Sequence, residues 1–365
     1  MNCLPFFRWQ PWLKVSLVVL LLVFSVSVYA FTVDLDTSDA VGSSSFASSL
    51  NGSNTTAPTS GNACFTGAFT LRTTDAAGTA QTFAGASLSV DSGGSLAFKT
   101  DGPIAINNLT LHGGTLAQVG FTGATTATIA GTSMSIAADS FINDQTSGRI
   151  LVIQSAMSGV GGLTIKSSST SGGGAAVFSA NNTYTGATTV STGLLNIQNA
   201  NALGTTAAGT CVTSGAALQL QGGITTDTEA LTLNWTGITS TGALRNISGT
   251  NAYAGLVTLG AATRTNSDAG TLTMSNTGTI TGATFGLTVS GAGNTMIASI
   301  IGTASGTLTK DGAGTLSLSG ANTFTGAKTV SVGALNIQNA NAPGTVAGAI
   351  SVSRTGFSAL VFLEE

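Results

Sequence analysis

The chain has 365 residues, of which 7% are charged, and its formal net charge is −3. Soluble domains average about 25% charged residues, and no cluster of Lys or Arg marks a nucleic-acid interface, so we expect no nucleic-acid partner. A hydrophobic content of 42%, with 49 Gly and 5 Pro, argues against a disordered chain.

The N-terminal segment, up to Ala30, has the order of a secretory signal peptide. Arg8 and Lys14 form a basic region, a nearly continuous apolar run follows at residues 15–24, and Val28 and Ala30 precede a cleavage site. The stretch 15–30 is shorter than the roughly 20 residues that a spanning helix needs. We therefore predict export through the Sec pathway, cleavage after Ala30 and no transmembrane segment in the mature chain.

Residues 31–63 are rich in Ser, Asn, Gly and Thr, and Asn51-Gly52 and Pro58 are turn signals. We interpret this segment as a linker or a cap. The predicted organisation is therefore a signal peptide at 1–30, the linker or cap at 31–63 and the main domain at 64–365.

Short alternating strands dominate from Phe65 onward. Apolar residues recur at i and i+2, the spacing of a strand with one buried face, and no apolar stripe of helical spacing follows the signal peptide. The segments and pairs are 87–90, 95–99, Leu109/Leu111, Leu163/Ile165, Leu218/Leu220, Leu231/Leu233, Leu287/Val289, Leu316/Leu318, Val330/Val332 and Leu335/Ile337. Polar residues between them are expected to face water in rows: Thr164, Thr232, Thr288, Ser317, Ser331 and Asn336.

Two echoes show that the sequence repeats. Residues 184–205 (YTGATTVSTGLLNIQNANALGT) return almost unchanged as 324–345 (FTGAKTVSVGALNIQNANAPGT). Residues 271–282 (TLTMSNTGTITG) return as 315–326 (TLSLSGANTFTG), and this shorter offset equals about two turns of roughly 20–25 residues. Units this short cannot bury an apolar face alone and must stack on their neighbours.

A sandwich, a barrel and a β-helix all fit short strands with Gly-rich corners. The two pairs of similar segments are separated by different numbers of residues, which favours the β-helix. At about 22 residues and about 4.8 Å per turn, the roughly 335 mature residues predict a rod about 70 Å long. The asparagines of the copies are expected at left-handed corner positions, with amides that hydrogen-bond along the axis. They are Asn196, Asn199, Asn201, Asn336, Asn339 and Asn341.

Groups that could carry catalysis are few and scattered. Asp227 and Glu229 are two positions apart and would share one face of a strand, as a pair of catalytic carboxylates must. We interpret them instead as part of a solvated turn. His112 is the sole histidine, and no clustered Cys or carboxylate is expected to complete a metal site around it.

The remaining polar candidates are interpreted as structural. Lys166 and Lys310 recur at matching places and are predicted to be exposed corners. Cys64 and Cys211 would be separated by several turns of a stack, too far for a disulfide, and are predicted to be unpaired and buried. We therefore predict no catalytic, cofactor-binding or metal-binding residue.

Residues 306–333 read GTLTKDGAGTLSLSGANTFTGAKTVSVG. This run resembles the autotransporter-associated β-strand repeat, or passenger-associated transport repeat, of bacterial passenger domains. The residues near its fixed places are Leu308, Lys310, Gly312, Gly314, Leu316, Leu318, Gly320, Asn322, Thr323, Phe324, Thr325, Gly326 and Thr329. The earlier copy, residues 163–193, departs by a short insertion after Lys166, which suggests a bulged corner; it keeps Lys166, Asn182, Thr183, Tyr184 and Gly186. The resemblance covers about Leu109 to the end.

The resemblance implies an all-β fold, namely a right-handed parallel β-helix (solenoid). It also implies that the protein is secreted or lies at the cell surface, and that it is associated with the outer membrane if a barrel partner exists. Full members of the family end in a translocating β-barrel, whereas this chain stops at Glu365 within what reads as a coil. We therefore expect a fragment, a truncated gene product or a passenger that is delivered by another route. An uncovered apolar strand at Leu360–Leu363 predicts end-to-end self-association.

The predicted function is a non-catalytic structural or adhesive stalk of the passenger type, an adhesin whose ligand is an extracellular glycan or protein. No cofactor is expected. The alternative is a carbohydrate-active, polysaccharide-degrading β-helix enzyme. A cluster of carboxylates on one face would favour that alternative.

Overall fold

The computed structural model describes residues 31–40, 43–48, 57–75, 78–119, 126–144, 148–167, 174–345, 349–352 and 359–363. The predicted signal peptide and the Ser/Gly tract at 168–173 lie outside these ranges. The described residues contain β-strands and one 3-10 turn, at Ile238–Ser240, but no α-helix. No helix in these ranges is long and apolar enough to cross a membrane.

The strands are short and follow one another with brief corners. The first half of the chain contains β1 (Phe31–Asp34), β2 (Asn62–Phe65), β3 (Thr70–Arg72), β4 (Gln81–Thr82), β5 (Ser87–Asp91), β6 (Ser95–Phe98), β7 (Pro103–Ala105), β8 (Leu109–His112), β9 (Thr115–Gln118), β10 (Thr126–Ile129), β11 (Met134–Ala138), β12 (Ser140–Asp144), β13 (Ile150–Ile153), β14 (Met157–Ser158), β15 (Leu163–Ser167), β16 (Ala175–Phe178), β17 (Thr188–Val190) and β18 (Gly193–Ile197). The second half contains β19 (Thr210–Val212), β20 (Ala216–Gln221), β21 (Leu231–Leu233), β22 (Leu244–Ser248), β23 (Thr250–Tyr253), β24 (Val257–Leu259), β25 (Thr263–Ser267), β26 (Thr271–Met274), β27 (Thr279–Ile280), β28 (Leu287–Ser290), β29 (Asn294–Ile297), β30 (Ile300–Ile301), β31 (Leu308–Lys310), β32 (Thr315–Leu318), β33 (Lys328–Val330), β34 (Gly333–Ile337), β35 (Ile350–Val352) and β36 (Ala359–Leu363).

These strands stack in parallel on three faces of a solenoid. Face 1 consists of the sheet β1-β2-β5-β8-β11-β14 and, further along, the sheet β23-β26-β29-β32-β34-β36. Face 2 consists of the sheet from β3 to β24, which an isolated bridge between Thr258 and Thr281 continues toward β27 and β30. Face 3 is one sheet of 13 strands from β4 to β35. The predicted all-β parallel solenoid is confirmed; its right-handed sense stays a prediction.

The turns have the predicted length on average but vary individually. Gln81 of β4 and Ile350 of β35 lie at the two ends of the face 3 sheet, and dividing their separation by the number of turns gives about 22 residues per turn. The pairing of Ala175 with Leu194 encloses a shorter turn than the pairing of Leu218 with Leu244. The insertions that cause this variation lie in the corners, where extra residues need not disturb the ladders.

The core is a set of aliphatic ladders that run along the axis. On face 3 one ladder consists of residues paired in register from turn to turn, all of them fully buried: Ile104, Ile129, Ile153, Phe178, Ile197 and Leu220. Burial alternates along many strands, such as β13 and β28, so that the intervening residues there face outward as predicted. In β16, β18 and β20 several consecutive residues are buried. Each turn thus buries its apolar face only against the turns on either side.

The ladder becomes polar after Leu220. Leu220 pairs with Asn246 and Asn246 pairs with Ser267, and both polar side chains are fully buried. The Asn246 amide donates to Ser267 Oγ (3.1 Å) and to the Ala269 carbonyl (2.7 Å), while Asn251 accepts from the Ile224 amide (2.7 Å) and donates to Asn246 Oδ1. Because a buried amide is costly unless it is hydrogen-bonded, this network fixes the register of the turns where the second sheet of face 1 begins.

Candidate functional site

The same asparagine contacts occur in both copies of the repeat. Asn182 Oδ1 accepts a hydrogen bond from the Met157 amide (2.9 Å), and its Nδ2 donates to the Ala202 carbonyl (2.6 Å). In the second copy, Asn322 accepts from the Ile301 amide (2.7 Å) and donates to the Ala342 carbonyl (2.6 Å). Both side chains are buried. Each asparagine therefore links its own turn to the turn before it and to the turn after it.

An aromatic ring two positions after each asparagine completes the arrangement. Tyr184 and Phe324 are fully buried. The carbonyls of both accept hydrogen bonds from the next turn, from the Thr205 amide (2.9 Å) and the Thr345 amide (3.1 Å) respectively. We call the pair formed by Asn182 with Tyr184, or by Asn322 with Phe324, the Asn–aromatic clamp.

At the clamp, the two copies differ in the ring itself and in the residue four positions after it, which lies in the next strand. In the first copy the Tyr184 hydroxyl lies 2.7 Å from Thr188 Oγ1. In the second copy Lys328 stands at this place, with its ammonium 4.9 Å from the centre of the Phe324 ring. Burial lowers the pKa of Lys328. A hydroxyl pair in one copy is thus replaced by a cation–π contact in the other.

The offset between the two long copies is not a whole number of turns. β17 and β18 of the first copy lie on faces 2 and 3, whereas the equivalent β33 and β34 lie on faces 3 and 1. The second copy is therefore six full turns and one face further on. The shorter echo behaves differently, since β26 and β32 lie on the same face with β29 between them. The interpretation of that echo as two turns is confirmed.

The asparagine corners are confirmed only in part. Asn201 Nδ2 donates to Asn181 Oδ1 (2.9 Å) one turn below, so amides do bond along the axis. None of the six predicted asparagines has a positive φ, however, and Asn196 and Asn336 lie inside strands. The left-handed positions in this part of each copy fall on glycine instead, at Gly204 (φ 88°) and Gly344 (φ 78°), where a side chain would also meet the aromatic ring of the clamp.

Asp227 and Glu229 do not form a carboxylate pair on one face. Their segment is not a strand, and Asp227 is exposed while Glu229 is 4% exposed. Glu229 Oε1 accepts from the Thr210 hydroxyl (2.6 Å), and the Glu229 carbonyl accepts from the Tyr253 hydroxyl (2.9 Å). Burial raises the pKa of Glu229 to about 7. A carboxyl with a raised pKa can mark a catalytic acid, but this one is inside the solenoid, where a polysaccharide could not reach it.

The raised pKa of Glu229 predicts an unusual pH dependence of stability. The unfolded carboxyl loses its proton near pH 4.5 and the folded one near pH 7, so the free energy of unfolding should fall by about 3 kcal/mol as the pH rises through this window. Urea denaturation at pH 4.5, 6 and 7.5 measures this slope. Glu229→Gln should remove the slope. Asp227→Asn removes only a smaller cause of the raised pKa and should keep most of the slope, whereas an unchanged slope in Glu229→Gln would assign the effect to another group.

The prediction that Lys310 is an exposed corner is wrong. Lys310 is 2% exposed, and its ammonium donates to the carbonyls of Gly312 and Val332. Lys166 is exposed as predicted, but it lies inside β15 and not at a corner, with its ammonium 4.3 Å from the centre of the Phe141 ring. β15 begins LTIK and β31 begins LTK. Because successive side chains of a strand point to opposite faces, the fourth residue, Lys166, points outward and the third residue, Lys310, points into the core. Burial lowers the pKa of Lys310 to about 8.

The other candidates are isolated from one another. Cys64 and Cys211 are both free, as predicted; Cys64 is buried and Cys211 is half-buried. His112 is exposed, with Nδ1 4.0 Å from Asp91. Within the described ranges, no three residues among His, Cys, Asp and Glu are close enough to hold a metal ion.

A sequence model of the passenger-associated-transport-repeat family matches the chain at residues 170–197 and 308–337. No curated protein and no solved structure matches the chain. The matched segments contain both Asn–aromatic clamps and the strands that follow or precede them. The asparagines could have been singled out from the sequence, because an Asn-Thr-aromatic triplet occurs in both copies. The chain therefore has two segments that match the passenger-associated-transport-repeat model, and in each of them the Asn–aromatic clamp joins three successive turns of the solenoid.

Proposed function

We propose that the chain is a passenger-type stalk that is exported and displayed at the cell surface or secreted, and that its role is structural and adhesive rather than catalytic. The observation that carries the proposal is the presence of two segments that match the passenger-associated-transport-repeat model within one continuous parallel solenoid. Hydrogen bonds between successive turns run the length of such a stack and make it rigid. A rod of this kind holds a ligand-binding surface away from the cell.

Outward rows of small hydroxyl residues support the adhesive role. On face 2, Thr164 pairs with Thr189, and Thr232 pairs with Thr258, with Cys211 between the two pairs. Apart from the turn that carries Cys211, this row repeats a threonine hydroxyl from turn to turn, about 4.8 Å apart. A repeated weak contact can give useful avidity toward an extracellular glycan or protein.

Export is the part of the proposal that can be tested first. In cells that express the full chain, exported protein should begin at Phe31 on N-terminal sequencing, and protease added to intact cells should remove it. A variant with Leu20→Arg and Leu21→Arg in the apolar run should stay inside and keep Met1. Protease-resistant wild-type chain that retains Met1 would defeat the proposal.

A further inference from the structure

A long corner loop lies at one side of the stack. Residues 234–243 join β21 to β22 between faces 2 and 3, whereas the equivalent corners of the turns on either side, 213–215 and 260–262, are much shorter. The loop therefore has residues to spare, and its contacts with Arg264 and Asn266 place it against β25 of the next turn. A hydrogen bond from the Gly242 amide to the Thr236 carbonyl (2.8 Å) closes it into a compact unit.

The loop holds a tryptophan in an exposed and unfavourable conformation. Trp235 is 56% exposed and has φ 67°. A bulky residue in this region is strained, and such strain is typical of binding sites. The Trp235 carbonyl accepts a hydrogen bond from the Arg264 amide (3.3 Å), which ties the residue to β25 of the next turn. The indole is thus displayed on a fixed backbone.

Two arginine–aspartate pairs lie on the outer side of face 3 beside the loop. Arg264 binds Asp311 through both terminal nitrogens (3.0 and 2.6 Å), and Arg245 Nε lies 3.0 and 2.8 Å from the two carboxylate oxygens of Asp268. Asn266, which also donates to Asp268, pairs with Arg245 across the two strands. A side chain at Gly242 would touch Asn266, so the end of the loop lies against this group of side chains. We call Arg245, Arg264, Asn266, Asp268 and Asp311 the polar row.

The polar row offers planar hydrogen-bonding groups that are already held in position. Its four charged side chains are between one-fifth and one-third exposed, and the two positive charges are balanced by two negative ones. Arg264 Nε is buried, so only the terminal nitrogens of this guanidinium can be offered to a ligand. Balanced charge gives little attraction for an anionic polymer, whereas fixed donors and acceptors suit hydroxyl groups.

We propose that Trp235, together with Arg245, Arg264 and Asn266, forms a binding surface for a neutral saccharide. The apolar C–H face of a pyranose ring would stack on the indole, and its hydroxyls would bond to the guanidinium and amide groups beside it. We favour a saccharide over a protein because the donors and acceptors near Trp235 are held in fixed directions by two ion pairs, which suits the hydroxyls of a sugar ring. The inference goes beyond the proposed stalk function and depends on it only for access to extracellular glycans.

The chain provides its own optical probe for this surface. Its three tryptophans are Trp9, Trp12 and Trp235, and the first two lie in the predicted signal peptide. In protein purified after export and signal cleavage, the tryptophan fluorescence should therefore come from Trp235 alone. Titration with a panel of neutral polysaccharides, namely dextran, amylose, galactan, xylan and mannan, is expected to shift or quench its fluorescence for at least one member. Pectate, alginate and denatured protein serve as anionic and peptide comparisons.

Calorimetry with the responding polysaccharide then measures the affinity of each variant and shows whether binding depends on Trp235 or on the rest of the solenoid. Trp235→Ala should weaken binding about tenfold or more, since aromatic anchors dominate such contacts, and Trp235→Phe should weaken it less. Leu256→Ala, at an exposed residue on another corner, should bind as the wild type does. Far-UV circular dichroism confirms that each variant is folded.

Three results would overturn the inference: no response to any neutral polysaccharide in the panel, a response only to anionic polymers or protein, or unchanged affinity in Trp235→Ala. Binding in solution does not depend on where the chain is displayed in the cell. A failed export experiment would contradict the stalk and remove the fluorescence readout, but calorimetry of the wild type and Trp235→Ala purified from inside the cells would still test the saccharide surface.

Discussion

Replacing Asn182 by alanine is expected to lower the free energy of unfolding by about 3 kcal/mol, because each buried group that is left unsatisfied costs about 1–3 kcal/mol. The change removes two hydrogen bonds between turns and leaves the Met157 amide and the Ala202 carbonyl without their partner in a buried position. Urea denaturation followed by circular dichroism measures the loss.

The neighbouring residue provides a matched control for this prediction. Asn181 is exposed and accepts one hydrogen bond from Asn201, so Asn181→Ala should change stability by only about 0.5 kcal/mol. Asn322→Ala should reproduce the effect of Asn182→Ala, and because the clamps are far apart the double variant should show the sum. Equal effects of Asn181→Ala and Asn182→Ala would show that the clamp does not hold the turns together.

Adding one methyl group at Gly314 is expected to destabilise the solenoid by about 3 kcal/mol, the upper range for overpacking. A Cβ at this residue would overlap with the backbone of Gly293 and Ala292 in the preceding turn, and backbone atoms cannot turn aside. Gly314→Ala should therefore separate β32 from β29. Hydrogen exchange at the amides of these two strands should become faster, while exchange on β10 and β13, many turns away, should stay as in the wild type.

The control for Gly314→Ala is a glycine with open space around it. An added Cβ at Gly61 meets nothing within 4 Å, and its backbone φ is not positive. Gly61→Ala should therefore be within about 0.5 kcal/mol of the wild type. If Gly314→Ala is equally mild, the turns must be able to move apart there, and steric limits between turns would not explain the glycine.

The sequence predicted the fold well because its main signal is local. Pairs such as Leu163/Ile165 and Leu287/Val289 show the two-residue period directly, and they do lie buried in strands. The pair Val330/Val332 is wrong, because β33 ends at Val330 and Val332 is an exposed corner residue. β25 (TRTNS) was missed, since its inward residues are Thr and Ser that line the polar section of the core.

Other features depend on contacts that no local pattern reveals. The face on which the second copy lies is set by the summed lengths of all the corners between the copies, which vary from turn to turn. The burial of Lys310 depends on where its strand begins relative to that of Lys166. The burial of Glu229 depends on Thr210, one turn earlier. Only the stacking of turns brings these groups together.

The placement of the second repeat one face further on has a genetic consequence. Two nearly identical segments in one reading frame favour unequal recombination, which would delete or duplicate the whole block from one copy to the next. Such a crossover would join Thr183 directly to Phe324 and so preserve a complete clamp at the junction. Everything beyond the junction would be shifted along the axis and also rotated by one third of a turn. Descendants of one ancestral chain could therefore differ in the direction that a surface loop faces as well as in their length, without any change in the loop itself.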